Sequence, residues 1–175
     1  YIISKIRNMS NQSKDQLIAT RVEVENEVNE KQEQLAKATY PVDFENVSNI
    51  TAILKQIDKS YQWTIKNAAL VINLYDTLKV NKVAIQKSGD VPVIELGAYD
   101  LNTLYQVLTN INGTGIESAR TFTKLLTNVG AQITGAMEAM ASANKEVQEI
   151  HVALAEIDAK IAELSKETLE ADEIS

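Results

Sequence analysis

The chain of 175 residues has no cysteine, two prolines, six glycines, one histidine and nine aromatic residues. Without cysteine there is no disulfide framework, no thiolate zinc site and no cysteine nucleophile, and the redox compartment leaves no trace in the sequence. With so few aromatics, a core built from Ile, Val, Leu and Ala favours narrow helix stripes over a thick globular centre. Long apolar runs are also missing. The longest spans five residues, Ala68 to Ile72, far below the roughly 18 that a membrane helix needs. Basic side chains are outnumbered, 17 against 24, for a net charge of −7. Such a surface repels phosphate backbones and anionic lipid, so nucleic acid is not an expected partner, and a membrane is one only after rearrangement. The chain opens at Tyr1 without an initiator Met or the apolar core of a signal peptide, which reads as a fragment or a mature form.

What the sequence has is helical periodicity. Ser13 with Gln16 fits a capping box that starts a helix running to about Ala38. Its stripe of Leu17, Val24, Val28 and Leu35 is interrupted by Arg21 and Lys31. Tyr40-Pro41 breaks this helix and Asp43 is placed to cap the next. From Val47 the positions Ile50, Leu54, Ile57, Tyr61, Thr64, Ala68, Val71, Tyr75 and Leu78 step by threes and fours, which predicts one helix to about residue 80. Ile53, Ile65 and Ile72 widen that stripe. After Val80 the alternation of Val83 and Ile85, the turn chemistry of Ser88-Gly89-Asp90, and the run Val91, Val93, Ile94 and Leu96 predict a β-hairpin. Asp100 then caps a short helix that ends at Asn112-Gly113.

The strongest pattern comes last. Thr114 with Glu117 fits a second capping box. Beyond it Phe122, Leu126, Val129, Ile133, Ala136, Met140, Ala143, Val147, Ile150, Leu154, Ile157, Ile161 and Leu164 keep the three-four rhythm without a polar residue. A helix of about 55 residues follows, which cannot leave its stripe in water and needs cover along its whole length. The first two helices, in line across Pro41 and antiparallel to the last, would provide it. A shorter bundle folded at Tyr40-Pro41 and a seam completed by a second subunit are the alternatives. The expected fold class is all-α, an elongated antiparallel helical bundle or coiled coil with a small β-hairpin head. Its parts are residues 1–80 (N-terminal helices), 81–113 (head) and 114–175 (long C-terminal helix), forming one folding unit.

The residues expected to carry interaction are the seam positions Leu126, Val129, Ile133, Met140, Val147, Ile150, Leu154, Ile157, Ile161 and Leu164. On the head they are Val83, Ile85, Val91, Val93 and Tyr99. No catalytic, cofactor or metal site is expected. His151 stands beside the seam with no second His or Cys, and the acid clusters Glu23, Glu25, Glu27 and Glu163, Glu167, Glu170 have the spacing of solvated, ion-paired helix faces. Asn112-Gly113-Thr114-Gly115 lacks the lysine and the preceding strand of a phosphate loop. Gly130 to Ala143 reads as close helix packing or as a segment able to enter lipid. Trp63 reads as partial core. The Asn-x-Ser/Thr triplets at Asn8, Asn11, Asn46, Asn49 and Asn112 are no more than an Asn-, Ser- and Thr-rich chain produces by chance.

Paired terminal helices around a small head, no cysteine and a surface rich in Asn, Gln, Ser and Thr resemble secreted bacterial appendage proteins, namely flagellin-like subunits and the filament or tip proteins of type III secretion. The stretch Leu96-Gly97-Ala98-Tyr99-Asp100-Leu101-Asn102-Thr103 is similar to the translocator filament proteins. That resemblance implies a secreted or cell-surface setting, while the lack of a catalytic constellation predicts a non-enzymatic protein without cofactor. Such a protein self-assembles as a homo-oligomer or binds a helical partner subunit. The layout also resembles helical pore-forming toxins, which implies the alternative of a membrane-perturbing subunit.

Overall fold

A computed structural model describes residues 12–59 and 61–173, with side chains described as far as residue 167. Among the described residues the chain is mostly helical, with one small two-stranded antiparallel sheet. In chain order the elements are α1 (Lys14–Ala36), β1 (Thr39–Asp43), α2 (Val47–Lys59), α3 (Ala68–Ser88), β2 (Val93–Gly97), α4 (Ala98–Thr109) and α5 (Ile116–Glu173). They divide into two compact units, Lys37–Glu138 and the pair of segments Tyr1–Ala36 and Ala139–Ser175.

In the second of these units, α1 begins where its capping box predicts. The Ser13 N–H donates to Gln16 Oε1 at 3.1 Å and the Gln16 N–H to Ser13 Oγ at 3.5 Å. Two donors of the first turn are thereby satisfied. Leu17, Val24 and Val28 are buried against Val147, Ile150, Leu154 and Ile157 of α5, with Ile161 and Leu164 packed on the cluster. Arg21 and Lys31, which interrupt the stripe in sequence, stand at its flanks and pair with Asp158 and Glu146. Because the higher number on α1 meets the lower on α5, the two segments pass each other in opposite directions.

The unit Lys37–Glu138 is built around the sheet, and three expectations are corrected there. The hairpin over residues 83–96 does not form. Val83 and Ile85 lie in α3, whose buried residues Val71, Leu74, Leu78 and Ile85 keep helical spacing throughout. Gly89 ends that helix in the left-handed region (φ 74°), its N–H bonded to the Ile85 carbonyl at 2.8 Å. A helix C-cap and a hairpin turn both call for a residue that tolerates positive φ, so Gly89 alone could not tell them apart. The strand partner is β1, 50 residues upstream, with Thr39 opposite Gly97, Pro41 opposite Glu95 and Asp43 opposite Val93. Tyr40-Pro41 is thus part of a strand as well as the end of a helical region.

The single helix expected from Val47 to about residue 80 is instead two. α2 stops at Lys59, and Tyr61 and Thr64 lie in the connection. There Asn67 Oδ1 accepts from the Thr64 N–H at 2.7 Å and from its hydroxyl at 3.3 Å, the kind of local side-chain bond that competes with helix. Folding back lets Ile50, Ile53 and Leu54 of α2 and Leu74, Leu78 and Ile85 of α3 share one core with Phe44, Ile94, Leu96, Leu101 and Leu104. Helix caps also move. Asn46, not Asp43, caps α2, its Oδ1 accepting from the Asn49 N–H at 2.9 Å. Asp43 is in β1 and accepts from the Glu45 N–H at 2.8 Å. Gly97 precedes α4, and Asp100 in its first turn accepts from Asn73 Nδ2 at 2.9 Å. α5 starts after Gly115 (φ 90°), with Glu117 paired to Arg120 at 3.3 Å and not to Thr114.

Candidate interaction surfaces

The ten seam residues fall into two separate cores. Val147, Ile150, Leu154 and Ile157 are buried, and Ile161 and Leu164 half-buried, in the α1 cluster. Val129 is fully buried in the core of Lys37–Glu138, where Leu126 and Ile133 pack half-buried. Met140 is 47% exposed and belongs to neither. A stripe continuous in sequence therefore serves two different sets of partners in space. Leu125, buried beside Leu126, was missed because the rhythm of threes and fours is met equally well by either neighbour.

Of the residues expected at the head, Ile85 is buried in the core. Val83 on α3, Val91 and Val93 around the start of β2, and Tyr99 in the first turn of α4 are exposed, Tyr99 at 79% and Val91 at 69%. Trp63 and Ile65 are exposed in the α2–α3 connection, and Ile72 and Val80 on α3. The expectation of a partly buried Trp63 is thereby corrected, since the helix that would have carried it into the core is interrupted.

Several grooves are lined in part by polar groups. Between α1 and α5, Arg21, Glu25, Val28, Asn29, His151 and Asp158 are among the residues lining a groove of about 480 Å³. Arg21 spends its donors inside it: Nε donates to Asp158 Oδ1 at 2.6 Å, Nη2 to Oδ2 at 3.4 Å, and Nη1 lies 3.0 Å from Glu25 Oε1. Asp158, and then Glu25, hold the guanidinium pKa above its already high ordinary value. His151 is exposed at the rim. Between α2 and α3, Lys55, Asp58, Tyr75, Lys79 and Lys82 line a groove of about 310 Å³, with Lys79 Nζ 5.8 Å from the Tyr75 ring centre. A third, of about 330 Å³, lies under Leu108, Ile111, Phe122 and Leu126 at the start of α5. Among the described residues no cluster of three His, Asp or Glu could hold a metal ion, and no helix is long and apolar enough to cross a membrane.

Gly130 sits where α5 passes α4, and a Cβ there would lie 3.4 Å from Tyr105 Cε2. Gly135 has open space around it. Small residues thus bring α4 close at one position of the Gly130 to Ala143 stretch and leave other positions uncovered. No protein-family model, no curated protein and no solved structure matches this chain.

Proposed function

We propose that this is a non-enzymatic structural or interaction protein that assembles through its long helices in coiled-coil fashion, with copies of itself or with a partner helix. One observation carries the reading. The pairing of α1 with α5 buries a single edge of each helix and leaves Ile18, Val22 and Val152 exposed on the two flanks. Two helices cannot enclose a core as three or four can, and a second pair laid against these flanks would cover them. Ion pairs such as Arg21 with Asp158, and Lys31 with Glu146, fix which faces remain for a partner. The secreted appendage or tip subunit is the setting that suits such a protein. Sedimentation velocity across a concentration series tests it. Mass should rise with concentration, and Val22→Glu with Val152→Glu should remove the helical step of that rise while circular dichroism stays unchanged. An association that Val22→Glu with Val152→Glu leaves unchanged overturns the reading.

The membrane-perturbing alternative draws on the exposure of Met137 and Met140 in the small-residue stretch. Dye release from liposomes at micromolar protein is its test, and intact vesicles retire it.

A further inference from the structure

The two edges of the small sheet are not alike. Phe44 N–H donates to the Pro92 carbonyl at 3.0 Å, which extends the ladder by one step and fixes its phase. Residues Tyr40 with Leu96, and Val42 with Ile94, face each other across the hydrogen-bonded pairs, and Pro41 with Glu95 across a non-bonded one. Pro41 has no N–H to give, as that phase requires. The odd-numbered residues of both strands therefore turn their backbone groups away from the ladder.

On the β1 side this edge is interrupted at its centre. Pro41 offers no donor and its carbonyl accepts from Gln132 Nε2 at 3.2 Å. The β2 edge differs. The Val93 N–H turns back to the Val91 carbonyl at 2.8 Å, while the Glu95 N–H, the Glu95 carbonyl and the Val93 carbonyl point outward. Among the described residues none of these three has a partner. The side chains of Val93 and Glu95 are exposed on the outer face, opposite the buried Ile94 and Leu96. A row of outward backbone groups on an exposed strand is a template for another strand.

We propose that β2 pairs antiparallel with β2 of a second copy, about a two-fold axis at Ile94, to make a four-stranded sheet. In that register Val93 stands opposite Glu95 of the second copy, and each Glu95 N–H donates to a Val93 carbonyl across the axis. Two bonds form with no rearrangement, and two more form when the Val93 amides leave Val91. The alternatives are poorer. An axis at Glu95 sets two carboxylates face to face, which repel, and an axis at Val93 calls on the Val91 carbonyl, already engaged. Pro92 falls opposite Leu96 of the second copy, at a position whose N–H the new ladder does not need. The exposed valines would gain cover in the same step.

The pairing uses no helical seam, so it stands or falls separately from the reading above. The absence of cysteine from the chain makes the register directly measurable. Chains carrying Val93→Cys and Glu95→Cys are mixed and oxidised, since hydrogen-bonded cross-strand neighbours lie about 5.5 Å apart at Cα, within disulfide reach. The mixed disulfide should form at least about tenfold faster than either self-disulfide, the two positions being neighbours only across the axis. Absence of cross-linking, or self-disulfides as fast as mixed ones, overturns the proposal. As a second arm, dimer dissociation is measured by sedimentation equilibrium for Val93→Lys and Val93→Glu, both at an exposed position. Facing Glu95 twice per dimer, the lysine should tighten the dimer and the glutamate loosen it, each by about tenfold. Equal effects from the two, or none, count against the pairing. Val22→Glu should leave the cross-linking rate unchanged.

Discussion

At the scale of residues, charged side chains that look like defects in a stripe turn out to frame it. Lys31 interrupts the apolar spacing of α1, yet on the folded helix it reaches Glu146 of α5. Its hydrogen bond and charge hold the Glu146 carboxyl below the ordinary value of 4.5. A carboxylate whose pKa is lowered by folding adds stability above its unfolded pKa and loses it as pH falls through the folded one. The parent chain should therefore be more stable than Lys31→Ala at pH 7, and the difference should shrink as the pH falls below 4.5 through the lowered value, in chemical denaturation monitored by circular dichroism. A difference that persists unchanged into acid would remove the pairing from the account. Lys124 shows the opposite sign. Glu45 raises its pKa above 10.5, so that contribution is complete below 10.5 and fades only as pH climbs through the raised value.

At the scale of elements, helix ends decide the topology. Gly89 terminates α3 with φ 74° and nothing within 4 Å of a notional Cβ. A side chain there meets no clash, only the backbone cost of the left-handed region. Gly89→Ala should lower stability by about 1 kcal/mol. Loss of the Asn46 cap in Asn46→Ala should cost about 0.5–2 kcal/mol. Both are read from thermal or urea denaturation, and Asp43→Ala offers the contrast, because Asp43 accepts from the Glu45 N–H and caps no helix. An effect of Asp43→Ala larger than that of Asn46→Ala would reverse the assignment. Elements also explain why a long seam was legible but its use was not. Positions three and four apart announce a buried stripe whichever partner buries it, and α5 divides its stripe between the α1 cluster and the sheet-centred core.

For the whole molecule, charge is unevenly divided. Lys37–Glu138 holds nine cationic and nine acidic side chains, and the remaining residues hold eight and fifteen. The entire net charge of −7 therefore rests on the unit containing α1 and the C-terminal part of α5. Copies that associate through those helices must bring like charges together, and salt screens that repulsion over a Debye length of about 8 Å at physiological ionic strength. Helical association should strengthen as sodium chloride rises from about 20 to about 200 mM. Sedimentation at the two salt levels measures it, and association that weakens with salt would mean that oppositely charged surfaces hold the copies together instead.

The sequence alone determined what local physics controls. Ser13 and Gln16 cap α1 because both partners lie within one turn, and the stripe of α5 follows from side-chain spacing along one helix. The buried residues Val129, Ile150 and Ile157 were legible for the same reason. Tertiary structure decided whatever depends on residues far apart in the chain. The pairing of Val42 with Ile94 gave β2 its partner and turned the supposed hairpin into the end of a helix. No local signal marks that pairing, because alternation identifies a strand and not its neighbour. The interruption after Lys59 also follows from packing: a straight helix would hold α2 and α3 apart, whereas the turn at Thr64 and Asn67 brings both apolar faces onto one core.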